Sequence, residues 1–158
     1  GLLSRCFSSQ GGIEALVELL RTGSPDAQTA SAEALSNLSA DDDNQNTMVS
    51  APGCVEALVE LMRTGNERGR TAAAGAIWNL SANSKHDNTV VERAPDCVSA
   101  LVELVQTGSA DGRILAAGAL CNISSNTINQ KAVASAGGVE ALTELLQTGI
   151  VVSQTLGK

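Results

Sequence analysis

Three asparagines, Asn37, Asn79 and Asn122, recur 42 and 43 residues apart, each 14 residues after a glycine. Asparagine is a poor helix former because its side chain competes for nearby backbone groups. Finding it in one slot of three helical segments therefore needs a cause. Its amide carries both a donor and an acceptor, the pair that the C=O and N–H of a peptide group require. Two uses follow. Each amide caps or bridges backbone in a neighbouring segment, or the three form a ladder that pairs with an extended peptide. Other chemistry-bearing residues are few. His86 is the single histidine, in a loop-like stretch from Ala82 to Asn88. No motif sets a particular Ser or Cys beside His86 and Asp87 as a nucleophile. Cys6, Cys54, Cys97 and Cys121 form no CxxC pair and no Cys/His cluster, so no zinc site is expected. They read as buried thiols in a reducing compartment, cytoplasmic with the nucleus also open. There is no P-loop and no GxGxxG after a strand; Gly11-Gly12 and Gly137-Gly138 merely precede helices. The expectation is a non-enzyme with no catalytic residue, no cofactor and no metal.

The elements that must hold the asparagines come from a repeat. The segment from Ile13 to Gly23 recurs at Val55–Gly65, Val98–Gly108 and Val139–Gly149, at offsets of 42, 43 and 41 residues. Within the first copy Ile13, Leu16, Val17 and Leu20 fall at helical spacing, and Glu14, Glu18 and Arg21 occupy the opposite face. The closing glycines, Gly23, Gly65, Gly108 and Gly149, are expected in the left-handed C′ conformation. A second helix follows, capped by Ser24 with Pro25 at its first position. It runs through Ala27 to about Ala40, with equivalents near Glu67–Ala82 and Ala110–Ser125. These helices are rich in small residues, as at Thr71 to Ala76, which permits close approach of neighbouring helices. A short third piece carries Met48-Val49, Val90-Val91 or Ala132-Val133. A unit of about 42 residues with two longer helices and one short one cannot cover its own apolar faces, so the units must stack as an all-α solenoid.

Composition narrows the function classes. Aromatic residues are nearly absent (one Phe, one Trp, no Tyr), so Ala, Leu and Val build the interior. The net charge is −7 with ten Lys and Arg. Nothing resembles the basic stripe that displaces counterions from nucleic acid or docks on an anionic membrane. No stretch of 18 apolar residues is present to span a bilayer, and Gly1 to Gln10 does not have the layout of a signal peptide. Residues 1–10 read as a remnant or cap. The repeats occupy 11–149, starting near 12, 54, 97 and 138, and 150–158 read as the start of a further helix. A fragment or an engineered sequence fits this organisation.

The motif Ala-Leu-Ser-Asn37-Leu-Ser, with Ala-Ile-Trp-Asn79-Leu-Ser and Ala-Leu-Cys-Asn122-Ile-Ser, resembles the third-helix signature of armadillo repeats, the family of β-catenin and importin-α. The resemblance covers about residues 11–149. It implies a right-handed superhelix whose third helices line an inner groove, and asparagines that pair with the backbone of a bound peptide. The implied function is a protein–protein interaction scaffold.

Positions 4, 7 and 11 before each asparagine project within roughly 40° of it. They are Glu33, Ala30 and Asp26, then Gly75, Ala72 and Arg68, then Gly118, Leu115 and Asp111. The floor is thus small-sided, with three acids and one Arg, and leans toward a basic or neutral partner. In importin-α a Trp stands four residues before the Asn. Here that position holds Glu33, Gly75 and Gly118, so troughs for lysine stems are missing and a nuclear-import-type receptor is disfavoured. Trp78 sits beside the ladder either as a packed junction residue or as a binding hot spot. Glu14, Glu18, Glu56, Glu60, Glu103, Glu140 and Glu144 are seven of the seventeen acids. They form a solvated outer stripe or a second docking face. Asp41-Asp42-Asp43 solvates a helix end or weakly attracts a cation. Adjacent helices about 10 Å apart, set against extended chain rising about 3.3 Å per residue, let three ladder positions address about six to nine partner residues. The competing reading is an architectural module that forms a homodimer through exposed solenoid ends.

Overall fold

A computed structural model describes residues 9–156, with side chains for 10–86 and 88–149. The described residues form ten α-helices and no strand. In chain order they are α1 (Ser9–Thr22), α2 (Pro25–Leu38), α3 (Asp42–Ser50), α4 (Cys54–Thr64) and α5 (Glu67–Ala82). Then come α6 (Asp87–Arg93), α7 (Cys97–Thr107), α8 (Ala110–Ser124), α9 (Thr127–Ser135) and α10 (Gly138–Leu156). The order repeats as short, long, long. Among these residues no helix is long and apolar enough to cross a membrane, and no group of three His, Cys, Asp or Glu is placed to hold a metal ion.

Side-chain chemistry fixes the helix starts. Ser24, Asn66 and Ser109 each accept a hydrogen bond from a backbone N–H three residues on, at 3.3, 2.8 and 3.1 Å. That satisfies one of the donors orphaned at each N-terminus of α2, α5 and α8. Asp41 does the same for α3 through Asn44 N–H at 3.0 Å. Asp42 and Asp43 lie in its first turn, where carboxylates favour the positive end of the helix dipole. The aspartate run is therefore a helix start.

The apolar stripe of α1, α4 and α7 is buried: Ile13, Val17, Leu20, Val55, Leu58, Val98 and Leu101 all lie in one core. Burying a Leu or Ile of this kind stabilises by roughly 1.5–3 kcal/mol. Against that stripe stand Ala73, Ala74, Ala76, Ile77 and Leu80 of α5 and Ala116, Ala119, Leu120 and Ile123 of α8, all fully buried. Helices α2, α5 and α8 stack side by side, and each also packs on the long helix before it. Two arginines tie these layers. Arg70 Nε donates to Met62 O at 3.0 Å and Arg113 Nε to Val105 O at 2.7 Å, closing carbonyls near the C-termini of α4 and α7.

Several sequence expectations are corrected. Gly65 (φ −73°) and Gly108 (φ −77°) are extended; the only positive-φ glycines among the described residues are Gly53 and Gly137. Glycine is required at 65 and 108 by crowding. A Cβ at Gly65 would lie 2.7 Å from Leu61 O and 2.8 Å from Leu61 Cδ1, with the same conflict at Gly108 against Leu104. Gly11 and Gly12 lie inside α1, not ahead of it. Helix α10 passes Gly149 without a break, so residues 150–156 extend it and do not begin a further helix. The physical reason is the next residue: Ser24, Asn66 and Ser109 follow the other glycines and cap a new helix, whereas Ile150 has no capping oxygen. Cys54 and Cys97 are buried, but Cys121 is exposed. Cys6 and residues 1–8 lie outside the described residues.

Candidate functional site

The stacked helices α2, α5 and α8 line an open hollow of about 730 Å³. Glu33 and Asn37 line it from α2, Glu67, Arg68 and Ala72 from α5, and Asp111 and Leu115 from α8. Four of the seven residues singled out by the sequence, Glu33, Asn37, Arg68 and Asp111, therefore meet on one surface. The other three, Asn79, Trp78 and Asn122, do not line this hollow.

Each asparagine inside the stack has an internal partner. Asn79 Nδ2 donates to Ser39 Oγ at 2.9 Å and to Ser36 O at 3.4 Å. One repeat later Asn122 Nδ2 donates to Trp78 O at 3.4 Å and to Ser81 Oγ at 3.5 Å. The acceptors are themselves linked, because Ser39 Oγ donates to Ser36 O at 2.6 Å and Ser81 Oγ to Trp78 O at 2.9 Å. So the serine two residues after one asparagine receives the amide of the next. The donor half of each amide serves the stack, while Oδ1 of Asn79 and of Asn122 accepts no bond from a described residue. Asn37 is exposed and has no hydrogen-bonded side-chain partner among the described residues. These serines were missed by sequence reasoning. Their signal was the invariant Asn-aliphatic-Ser spacing, which placed donor and acceptor in register across one repeat.

Trp78 lies against Gly118: a Cβ there would fall 2.9 Å from Nε1 and 3.0 Å from Cε2 of the indole. Ser36 uses Gly75 likewise, with Oγ 2.7 Å from where a Cβ would stand. The residue before each asparagine thus packs on the glycine four positions before the next. Trp78 keeps 40 % of its surface exposed, so it is both a junction residue and an available apolar face.

Charge on the hollow is uneven. Glu33, Glu67 and Asp111 face a single cation among the lining residues, Arg68. Arg68 Nη2 and Nε reach Glu33 Oε1 at 2.7 and 3.1 Å, from α5 to α2. His86, by contrast, is buried between α3 and the start of α6, its Nε2 2.9 Å from Asn46 Oδ1. Burial pushes the Cys54 and Cys97 thiols up to about 12, the opposite of an activated nucleophile. For Cys54 the neighbouring Glu56 charge adds to the same direction.

Comparison with known proteins fits this architecture. The family profile described as Armadillo/beta-catenin-like repeat matches residues 8–40 and 41–82. Among solved structures, the chain resembles an engineered protein at 34 % identity and a TM-score of 0.78, covering 86 % of this chain and 56 % of that one. It resembles computationally designed armadillo repeat proteins for modular peptide recognition at 27 % identity and a TM-score of 0.79, covering 86 % and 57 %. It also resembles a designed armadillo repeat protein in complex with the peptide (KR)4 at 26 % identity and a TM-score of 0.78, covering 87 % and 57 %. The chain thus spans a little over half the length of these structures. No curated protein matches the sequence.

Proposed function

We propose that this chain, which belongs to the armadillo-repeat family, is a protein-interaction scaffold that holds an extended peptide along α2, α5 and α8. The observation that carries the reading is the hollow itself. Three stacked helices bring Glu33, Asn37, Arg68 and Asp111 to one open surface floored by the small side chain of Ala72. Polar groups of both signs at the rim of a small-sided floor suit a peptide, whose backbone needs hydrogen bonds and whose side chains need room. Structures similar to this one were designed for modular peptide recognition, which supports the same use here. The carboxylate excess favours a basic or neutral segment over an acidic one, and the net charge of −7 disfavours nucleic acid. The free thiols Cys54, Cys97 and Cys121 support a reducing compartment, cytoplasmic or nuclear.

Capture from a peptide library tests this, comparing wild type with Asn37→Ala combined with Asp111→Asn. Both residues are exposed and neither bridges the repeats, so the fold is kept. Peptides retained by wild type and lost by the variant support the groove; equal capture by both contradicts it.

A second reading is favoured by the surface of α10. Val139 and Leu146 are 57 % and 67 % exposed, whereas their register equivalents, Ile13, Val55 and Val98, and Leu20, Met62 and Val105, are at most 3 % exposed. A second copy of the chain docked on this apolar face would cover it. Sedimentation at rising concentration tests this: a mass that increases with concentration, and stops increasing in Leu146→Glu, supports it.

A further inference from the structure

Among the described residues Arg68 is the one cation lining the hollow, and its guanidinium is spent on the protein's own Glu33. The geometry is one-sided. Both Nε and Nη2 bind the same carboxylate oxygen, Oε1, at 3.1 and 2.7 Å. The Arg68 side chain is 76 % exposed and that of Glu33 39 %. The arginine is thus the more exposed partner, and its guanidinium takes up one oxygen of the Glu33 carboxylate. Ala72 lines the same hollow and carries no polar group to hold the arginine. Exposed pairs of this kind are weak and exchange readily.

We propose that Arg68 is an internal competitor: it occupies Glu33 in the free protein, and a basic side chain of the bound peptide displaces it. This rests on the groove reading above and adds its selection rule. A lysine or arginine of the partner takes over the Glu33 carboxylate, and Arg68 swings out on a hollow that Glu67 and Asp111 also line. A neutral side chain gains nothing by displacing Arg68, and an acidic one meets three carboxylates. The pair therefore sets a threshold against weakly matched segments. Arg68, although it lines the site, opposes binding of the peptides the site prefers.

The experiment is a double-mutant cycle on the full chain, read by fluorescence anisotropy of three labelled nonapeptides. These are Ser/Ala chains that differ only in a central Lys, Gln or Glu. Wild type, Arg68→Ala, Glu33→Gln and the double variant are compared, with circular dichroism confirming the fold of each. The competitor account predicts that Arg68→Ala tightens the Lys peptide by about two- to fivefold, the range an exposed pair supports. It predicts no change for the Gln peptide, and no tightening by Arg68→Ala when Glu33 is already Gln. Weaker Lys-peptide binding by Arg68→Ala overturns the account, since Arg68 would then contact the peptide directly. Equal tightening in both Glu33 backgrounds also overturns it, leaving only a general charge effect. If no peptide binds any of the four proteins, the groove reading fails and this inference falls with it. That result is distinct from binding that persists without coupling.

Discussion

Asn79 Nδ2 donates to Ser39 Oγ at 2.9 Å across the boundary between two stacked repeats. The bond joins the third helix of one repeat to the end of the third helix before it, and Asn122 reaches Ser81 in the same manner at 3.5 Å. The donor side of the amide is used within the stack, and its oxygen accepts no bond from a described residue. Asn79→Ala and Ser39→Ala should each cost about 1 kcal/mol, the net value of a half-buried hydrogen bond. The double variant should lose less than the sum, because both remove the same contact. Urea denaturation of the four proteins checks this, and strict additivity would show that the bond carries no stability.

Gly118 is the seat of the lone tryptophan. Gly118→Ala places a methyl group 2.9 Å from Trp78 Nε1, so the indole must lift toward solvent. With one Trp and no Tyr in the chain, intrinsic fluorescence reports on that ring alone. A red-shifted emission maximum is expected, with a stability cost of about 1–2 kcal/mol after helix propensity offsets part of the strain. An unshifted spectrum would mean that the ring does not rest on Gly118.

Crowding and left-handed geometry make different demands on glycine. At Gly53, with φ of 79°, asparagine should be tolerated better than alanine, because it enters the left-handed region more readily. At Gly65 the conflict is with Leu61, so asparagine and alanine should both destabilise, by about 1–3 kcal/mol. Melting temperatures of the four variants separate the two causes.

The buried thiols give a pH dependence with a defined sign. Folding raises Cys54 and Cys97 from an ordinary value of 9.0 to about 12. A raised thiol value means that the unfolded chain loses its protons first, so the stabilising contribution is intact below pH 9 and declines as pH rises toward 12. Denaturation midpoints should therefore fall above pH 9, and Cys54→Ala plus Cys97→Ala should flatten that decline. In the native protein at pH 8, mass-mapped alkylation should modify exposed Cys121 well before Cys54 or Cys97.

Much of the fold was legible because the chain repeats itself. Four copies of one amphipathic helix, three of them followed by Gly and a capping Ser or Asn, fixed where α2, α5 and α8 begin. The small-residue run at Ala72–Ala76 announced close packing. What escaped the sequence depends on a second helix. The asparagines carried the right donors, yet only the stack reveals that Ser39 and Ser81 receive them. The glycines at 65 and 108 were recognised as obligatory for the wrong reason, since crowding by a leucine one turn earlier leaves no separate mark in the sequence. Glu33 and Arg68 were both assigned to the groove, but their pairing across 35 residues follows from how closely α2 approaches α5. Cys121 resembled its buried counterparts in composition alone. It occupies the position of Ser36 and Trp78, whose side chains rest on the next repeat's glycine, and no such helix follows it among the described residues.

The central claim is that a peptide lies along α2, α5 and α8. The direct measurement is a titration of ¹⁵N-labelled protein with a captured peptide, followed by ¹H–¹⁵N correlation spectra. The account predicts shifts confined to α2, α5 and α8, with the side-chain amides of Asn37, Asn79 and Asn122 and the Trp78 indole N–H among those that move. Shifts concentrated on the acidic stripe of α1, α4, α7 and α10, with the asparagine amides unmoved, would contradict it and assign binding to the opposite face.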